Sequence, residues 1–113
     1  MSHLSILPTV LRDTEGLAAS LRALGLTPIR GGSLAGFGGE RQPVLLQVAL
    51  EDDLALGWTR QVDGTLALVG DLQKISRSRS LQELLGCITR GYAARMALAA
   101  AEQFTDAHVS VSP

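Results

Sequence analysis

With 113 residues, 46% of them apolar, and a formal net charge of −1, the chain can bury one real core. It has too little charge imbalance for disorder or for a global pull toward nucleic acid. Four aromatic residues (Phe37, Trp58, Tyr92 and Phe104) are too few for a base-stacking platform, and a lone Cys87 excludes an internal disulfide and suits a reducing cytosol. Met1 to Leu7 lacks the basic start and long apolar run of a secretory signal, and no apolar run approaches the roughly 20 residues of a spanning helix.

In chain order, residues 3 to 10 read as a strand, with Leu4 and Ile6 on one face and His3, Ser5 and Leu7 on the other. Pro8 has no N–H, so this strand lies at an edge or ends there. Asp13 then caps a helix in which Leu17, Leu21 and Leu24 recur at helical spacing. Gly25 takes the left-handed position after it and Pro28 prevents continuation. Thr27 to Arg30 reads as a short strand. Gly31 to Gln42 holds five glycines in twelve residues and reads as a mobile loop with Phe37 at its tip, a residue a partner could bury.

Next comes the strongest pattern of the chain, a three-strand meander. Val44, Leu46, Val48 and Leu50 alternate along the first strand, Leu54, Leu56 and Trp58 along the second, and Leu66, Leu68 and Leu72 along the third. Three-residue turns at Glu51-Asp52-Asp53 and Val62-Asp63-Gly64 set Leu50 opposite Leu54, Leu46 opposite Trp58, and Trp58 opposite Leu68. Gly64 then sits in the left-handed position of a bulged turn. A two-residue Asp-Gly turn would slip the third strand by one and turn its leucines away from Trp58.

After Leu72 the chain turns basic, with Lys74, Arg77 and Arg79 among serines. Ser80-Leu81-Gln82-Glu83 is a capping box that starts a long helix. Leu81, Leu84, Leu85, Ile88, Tyr92, Met96, Ala99 and Gln103 share one stripe, implying a helix of up to about 36 Å, long enough to cross the sheet. Ala107 to Ser112 alternates and reads as a short closing strand. The expected fold is a single α+β domain over residues 1–113. It is an antiparallel sheet with a central meander, ordered strand, helix, strand, meander, long helix, strand. Two helices cover the Leu46/Trp58/Leu68 face and leave Gln47, Thr59 and Gln61 wet on the other.

Catalytic constellations are absent from the pattern. The Gly31–Gly39 loop has no Lys-Ser/Thr ending and runs into a strand rather than a helix, so neither phosphate-loop nor dinucleotide fingerprints apply. His3 and His108 have no thiolate or carboxylate neighbours at ligand spacing, Cys87 has no sequence-local group to activate it, and Asp52/Asp53 fall where a turn wants acidic residues. Two features carry functional readings. Lys74, Arg77, Arg79 and Ser80 stand before a helix N-terminus, where free N–H groups favour anions, and the plain alternative is a solvated loop. From Ala93 to Ala101 every residue but Arg95 is apolar, and Ala93, Ala97 and Ala101 lie opposite the core stripe. A helix apolar all round is usually buried all round, which marks a contact surface for a twin subunit or another protein; the plain alternative is that alanine is simply the best helix former. The expectation is therefore a non-enzymatic interaction protein without cofactor or metal, with a small anion-binding module as the alternative.

The segments Met1-Ser2-His3-Leu4-Ser5, Asp13 with Leu17, Leu21 and Leu24-Gly25, Asp53-Leu54-Ala55-Leu56-Gly57-Trp58, Asp63-Gly64, Leu68-Val69-Gly70-Asp71 and Thr89-Arg90-Gly91-Tyr92-Ala93 run in an order that resembles a small family. It is known as hypothetical chloroplast reading frame thirty-five, from cyanobacteria and algal plastids. The resemblance implies a photosynthetic source and a soluble accessory role, and it supplies no active site. The expanded Gly31–Gly39 loop departs from the Tyr-containing Arg-Gly segment usual in that family.

Overall fold

The computed structural model describes residues 4–50 and 54–109, with side chains for 4–36, 38–50 and 54–101. The elements are β1 (Leu4–Pro8), α1 (Thr14–Ala23), β2 (Ile29–Arg30), β3 (Ser33–Ala35), a tight 3-10 turn (Phe37–Gly39), β4 (Arg41–Pro43), β5 (Leu46–Ala49), β6 (Ala55–Arg60), β7 (Leu66–Asp71), α2 (Leu72–Arg77) and α3 (Arg79–Val109). The chain is an α+β protein. Its main sheet is antiparallel throughout, in the order β1-β7-β6-β5-β2.

From Leu46 onward the meander has the register that its alternation demands, whereas Val44, expected to lead the first strand on the Trp58 face, precedes β5 and packs with Leu34 and Val69 on the other face. Leu46 lies opposite Trp58 and Trp58 opposite Leu68, while the Leu50 amide donates to the Leu54 carbonyl at 2.7 Å. Gly64 has φ of 89° and its amide donates to the Gln61 carbonyl, closing the bulged three-residue turn. Thr65 gives both its hydroxyl and its amide to the Asp63 carboxylate, which holds that carboxyl below the usual carboxylate range. The turn at Glu51-Asp52-Asp53 lies outside the described residues.

Leu17 and Leu21 of α1, Ile75 of α2, and Leu81, Ile88 and Tyr92 of α3 are buried against Leu46, Val48, Leu56, Trp58, Leu66 and Leu68. Each such side chain contributes about 1.5–3 kcal/mol on burial, so this layer dominates the fold. α1 is framed by local chemistry. The Asp13 carboxylate accepts from the Glu15 and Gly16 amides. At the far end Gly25 (φ 83°) donates to Arg22 and Leu26 to Leu21, a Schellman ending. Leu24, expected on the core stripe, is the C-cap instead, where the backbone leaves the helix, and is 40% exposed.

Several expectations are corrected. β1 and β2 are shorter than read: β1 is an edge strand ending at Pro8, and β2 is only Ile29–Arg30. β7 stops at Asp71, whose carboxylate caps α2 through the Gln73 and Lys74 amides, so Leu72 opens a helix and is exposed. α3 is capped by Ser78 and not by Ser80: the Leu81 amide donates to the Ser78 hydroxyl and the Gln82 amide to the Ser78 carbonyl. Gln82 turns its side chain back to the carbonyls of Ile75 and Ser76, tying the two helices at the break instead of leaving a basic loop.

The glycine-rich segment is a structured ribbon. β3 and β4 pair antiparallel around the turn at Phe37–Gly39, with Gly38 and Gly39 at φ 69° and 82°. The ribbon lies across the sheet's second face, where Leu34 and Val44 bury Val69 with Leu4 at the margin. Gly57 of β6 makes room for it: a Cβ there would stand 2.7 Å from Val44 Cγ1 and 3.0 Å from Leu34 Cδ1. At the far edge the Glu40 carboxylate accepts from the Leu4 amide at 2.9 Å. The second face is therefore covered in part, and Gln47, Thr59 and Gln61 are half-buried rather than wet; Gln47 donates to the Gly31 carbonyl.

α3 contains 31 residues, about 46 Å of helix, whereas the expectation was about 36 Å. Ala107–Val109, expected to begin a closing strand, continues this helix, and residues 110–113 lie outside the described residues.

Candidate functional site

The structure separates the two groups of candidate residues. Lys74 and Arg77 sit in the last turn of α2, where positive charge complements the helix C-terminus, and Arg79 is the first residue of α3; all three are exposed. Ser80 is exposed too, and its hydroxyl lies 3.1 Å from that of Ser78. These two serines form the rim of an open cavity of about 490 Å³ whose walls include Leu26, Leu50, Leu54 and Leu84. The break between α2 and α3 thus places hydroxyls and a helix start at the mouth of an apolar pocket.

The second region is built by α1 and α3, which pack side by side. Gly16 permits the approach, since a Cβ there would stand 2.7 Å from Met96 Cε and 3.2 Å from Tyr92 Cε2, and the Tyr92 hydroxyl accepts from the amides of Arg12 (3.0 Å) and Asp13 (2.8 Å), locking α3 to the start of α1. The core stripe of α3 is buried or half-buried from Leu81 to Met96, and the side chain of Gln103, its expected last member, lies outside the described residues. Ala99, expected within it, is exposed, because the helix outruns the sheet beneath it. From Ala97 to Ala101 every residue is exposed, and Leu98 is 62% exposed. Ala93 is exposed as well, so Ala93, Ala97 and Ala101 form an open face with no cover among the described residues.

Beside that face runs a groove of about 300 Å³ that no local pattern in the sequence marks as a groove. Ala23 and Leu24 of α1 form one wall, and Cys87, Gly91, Ala94 and Leu98 of α3 form its floor and far end. Its sequence signal was Leu98 itself, a large apolar residue off the core stripe. Arg95 also lines the groove, and among the described residues it has no hydrogen-bond or ion-pair partner. Cys87 is half-buried and accepts a 3.4 Å contact from the Arg90 guanidinium.

None of the remaining candidates has a described side chain. Phe37 opens the turn of the β3–β4 ribbon, and its side chain lies outside the described residues, as do His3, Asp52 and Asp53. His108 stands on the α3 backbone without a described side chain. Among the described residues no three His, Cys, Asp or Glu side chains come together in a way that could hold a metal ion, and no helix is long and apolar enough to cross a membrane.

A family model described as a protein of unknown function (DUF1257) matches residues 20–110, from the middle of α1 past the end of α3. Neither the curated proteins nor the solved structures gave a match.

Proposed function

We propose, for a chain that belongs to the DUF1257 family of proteins of unknown function, that it is a non-enzymatic accessory protein acting through protein–protein contacts on the outer side of α3. One observation carries this reading. α3 continues past Met96, the last side chain packed on the core among the described residues, as a helix whose exposed residues from Ala97 to Ala101 are all apolar. An isolated helix of about a dozen residues is marginal in water, and apolar helix surface is normally covered. The finer likeness to hypothetical chloroplast reading frame thirty-five, with a photosynthetic source and a cytosolic setting, belongs to the same proposal.

The test is capture of partners from a native lysate with the wild type and Ala97→Glu, after circular dichroism has shown that both fold. Loss of a specific association only in the folded variant supports the reading. An unchanged set of associations, including self-association, rejects it.

A second reading, anion binding at the α2–α3 junction, is favoured by the pocket that Ser78 and Ser80 rim. It calls for a ligand with an apolar body and an anionic end, held by Lys74, Arg77, Arg79 and the start of α3. Its affinity should weaken with salt and fall when Arg77 and Arg79 are both changed to Ala. Binding that survives the double substitution removes this reading.

A further inference from the structure

We infer that the partner of the exposed α3 surface is a second copy of this chain, its α3 laid antiparallel in the groove beside α1. This rests on the interaction reading above and names the occupant. Two independent features support it. The first is length. From Leu98 to Cys87 the groove floor runs about 16 Å along α3, and from Ala99 to Val109 the helix extends about 15 Å beyond its own groove. Each projecting arm matches the groove of a twin, and a two-fold axis between Leu98 and Ala99 satisfies both at once, as an isologous contact requires.

The second is charge. Between Gly91 and Val109 the charged residues are Arg95, then Glu102 and Asp106, so basic precedes acidic along the helix. Arg95 and Glu102 are seven residues apart, two helical turns, and so share one flank of the helix. In an antiparallel pair about that axis the Arg95 position of each copy comes level with the Glu102 position of the other. A parallel pair would set like against like. Leu98 of each copy would lie over the other near the axis, and the glycine and alanines of the floor allow close backbone approach.

Sedimentation equilibrium over a concentration series tests this with the wild type, Leu98→Asp, Arg95→Glu, Glu102→Arg and the Arg95→Glu/Glu102→Arg double variant, each checked for helix content. The expected results are a wild-type dimer, a monomeric Leu98→Asp, and a dissociation constant raised about tenfold by each single charge reversal, because two symmetric pairs turn repulsive at once. The double variant restores the wild-type constant. A monomeric wild type, a dimeric Leu98→Asp, or a double variant as weak as the singles overturns the antiparallel pairing. If the wild type is a monomer yet Ala97→Glu still loses a specific partner from the lysate, the interaction reading stands and only the second copy is rejected.

Discussion

Tyr92 carries more of the architecture than its place at the end of a buried stripe suggests. Its ring closes the core while its oxygen takes two backbone donors, the amides of Arg12 and Asp13, at the point where the chain leaves β1 and enters α1. Phenylalanine would keep the ring and strand both amides. Because Arg12 and Asp13 are themselves exposed, water can reach part of this site, and Tyr92→Phe should cost about 1–2 kcal/mol in denaturant unfolding. An unchanged midpoint would show that the two hydrogen bonds contribute nothing net. The stripe placed Tyr92 in the core from spacing alone. The hydroxyl's partners lie some 80 positions earlier in the chain and had no local signal.

Among the elements, the β3–β4 ribbon marks the main difference between pattern and structure. Five glycines made the segment look like a loop, yet Gly38 and Gly39 serve its turn while Leu34 and Val44 reach across the sheet to Val69. The partner signal was present in β6: an interior strand glycine, Gly57, where another chain segment approaches closely. Gly57→Ala would drive a methyl group against Val44 Cγ1, a stiff β-branched side chain, and against Leu34. The expected cost is about 1–3 kcal/mol by chemical denaturation, with amide shift changes concentrated in β3, β4 and β6. A variant as stable as the wild type would mean the ribbon is only loosely laid on the sheet. The α2–α3 break follows similar logic: the local capping box pointed to Ser80, whereas Ser78 caps α3 and Gln82 folds back on the carbonyls of Ile75 and Ser76, which a box within one helix does not anticipate.

For the whole molecule, the governing mismatch is between a 46 Å helix and short strands. β6 and β7 have six residues each, about 20 Å, and the body is 29 × 20 Å across a longest dimension of 64 Å. α3 therefore has a half fixed by tertiary packing, up to Met96, and runs on past it with Ala97–Ala101 exposed. Amide hydrogen exchange should separate the two stretches. At dilution below the dimer's dissociation constant, amides beyond Met96 should exchange far faster than those from Leu81 to Tyr92, and at high concentration the far half should gain protection. Equal protection at both concentrations would show that the arm is held within a single copy.

The sequence by itself determined the α+β class, the meander register, the bulged turn at Gly64, the Asp13 cap and the Gly25 ending, and the core half of α3. Each of these is set by residues near one another in the chain or by a period that burial enforces. It also singled out the apolar stretch Ala93–Ala101. Only the tertiary structure decided that the glycine-rich segment is a ribbon on the second sheet face, that Leu24 is exposed, that Lys74 and Arg77 end one helix while Arg79 starts the next, and that α1 and α3 leave a groove beside Leu98. These depend on where distant elements stop relative to one another. A pattern with one period cannot encode that, since an apolar residue reads the same whether its own fold or a second chain covers it.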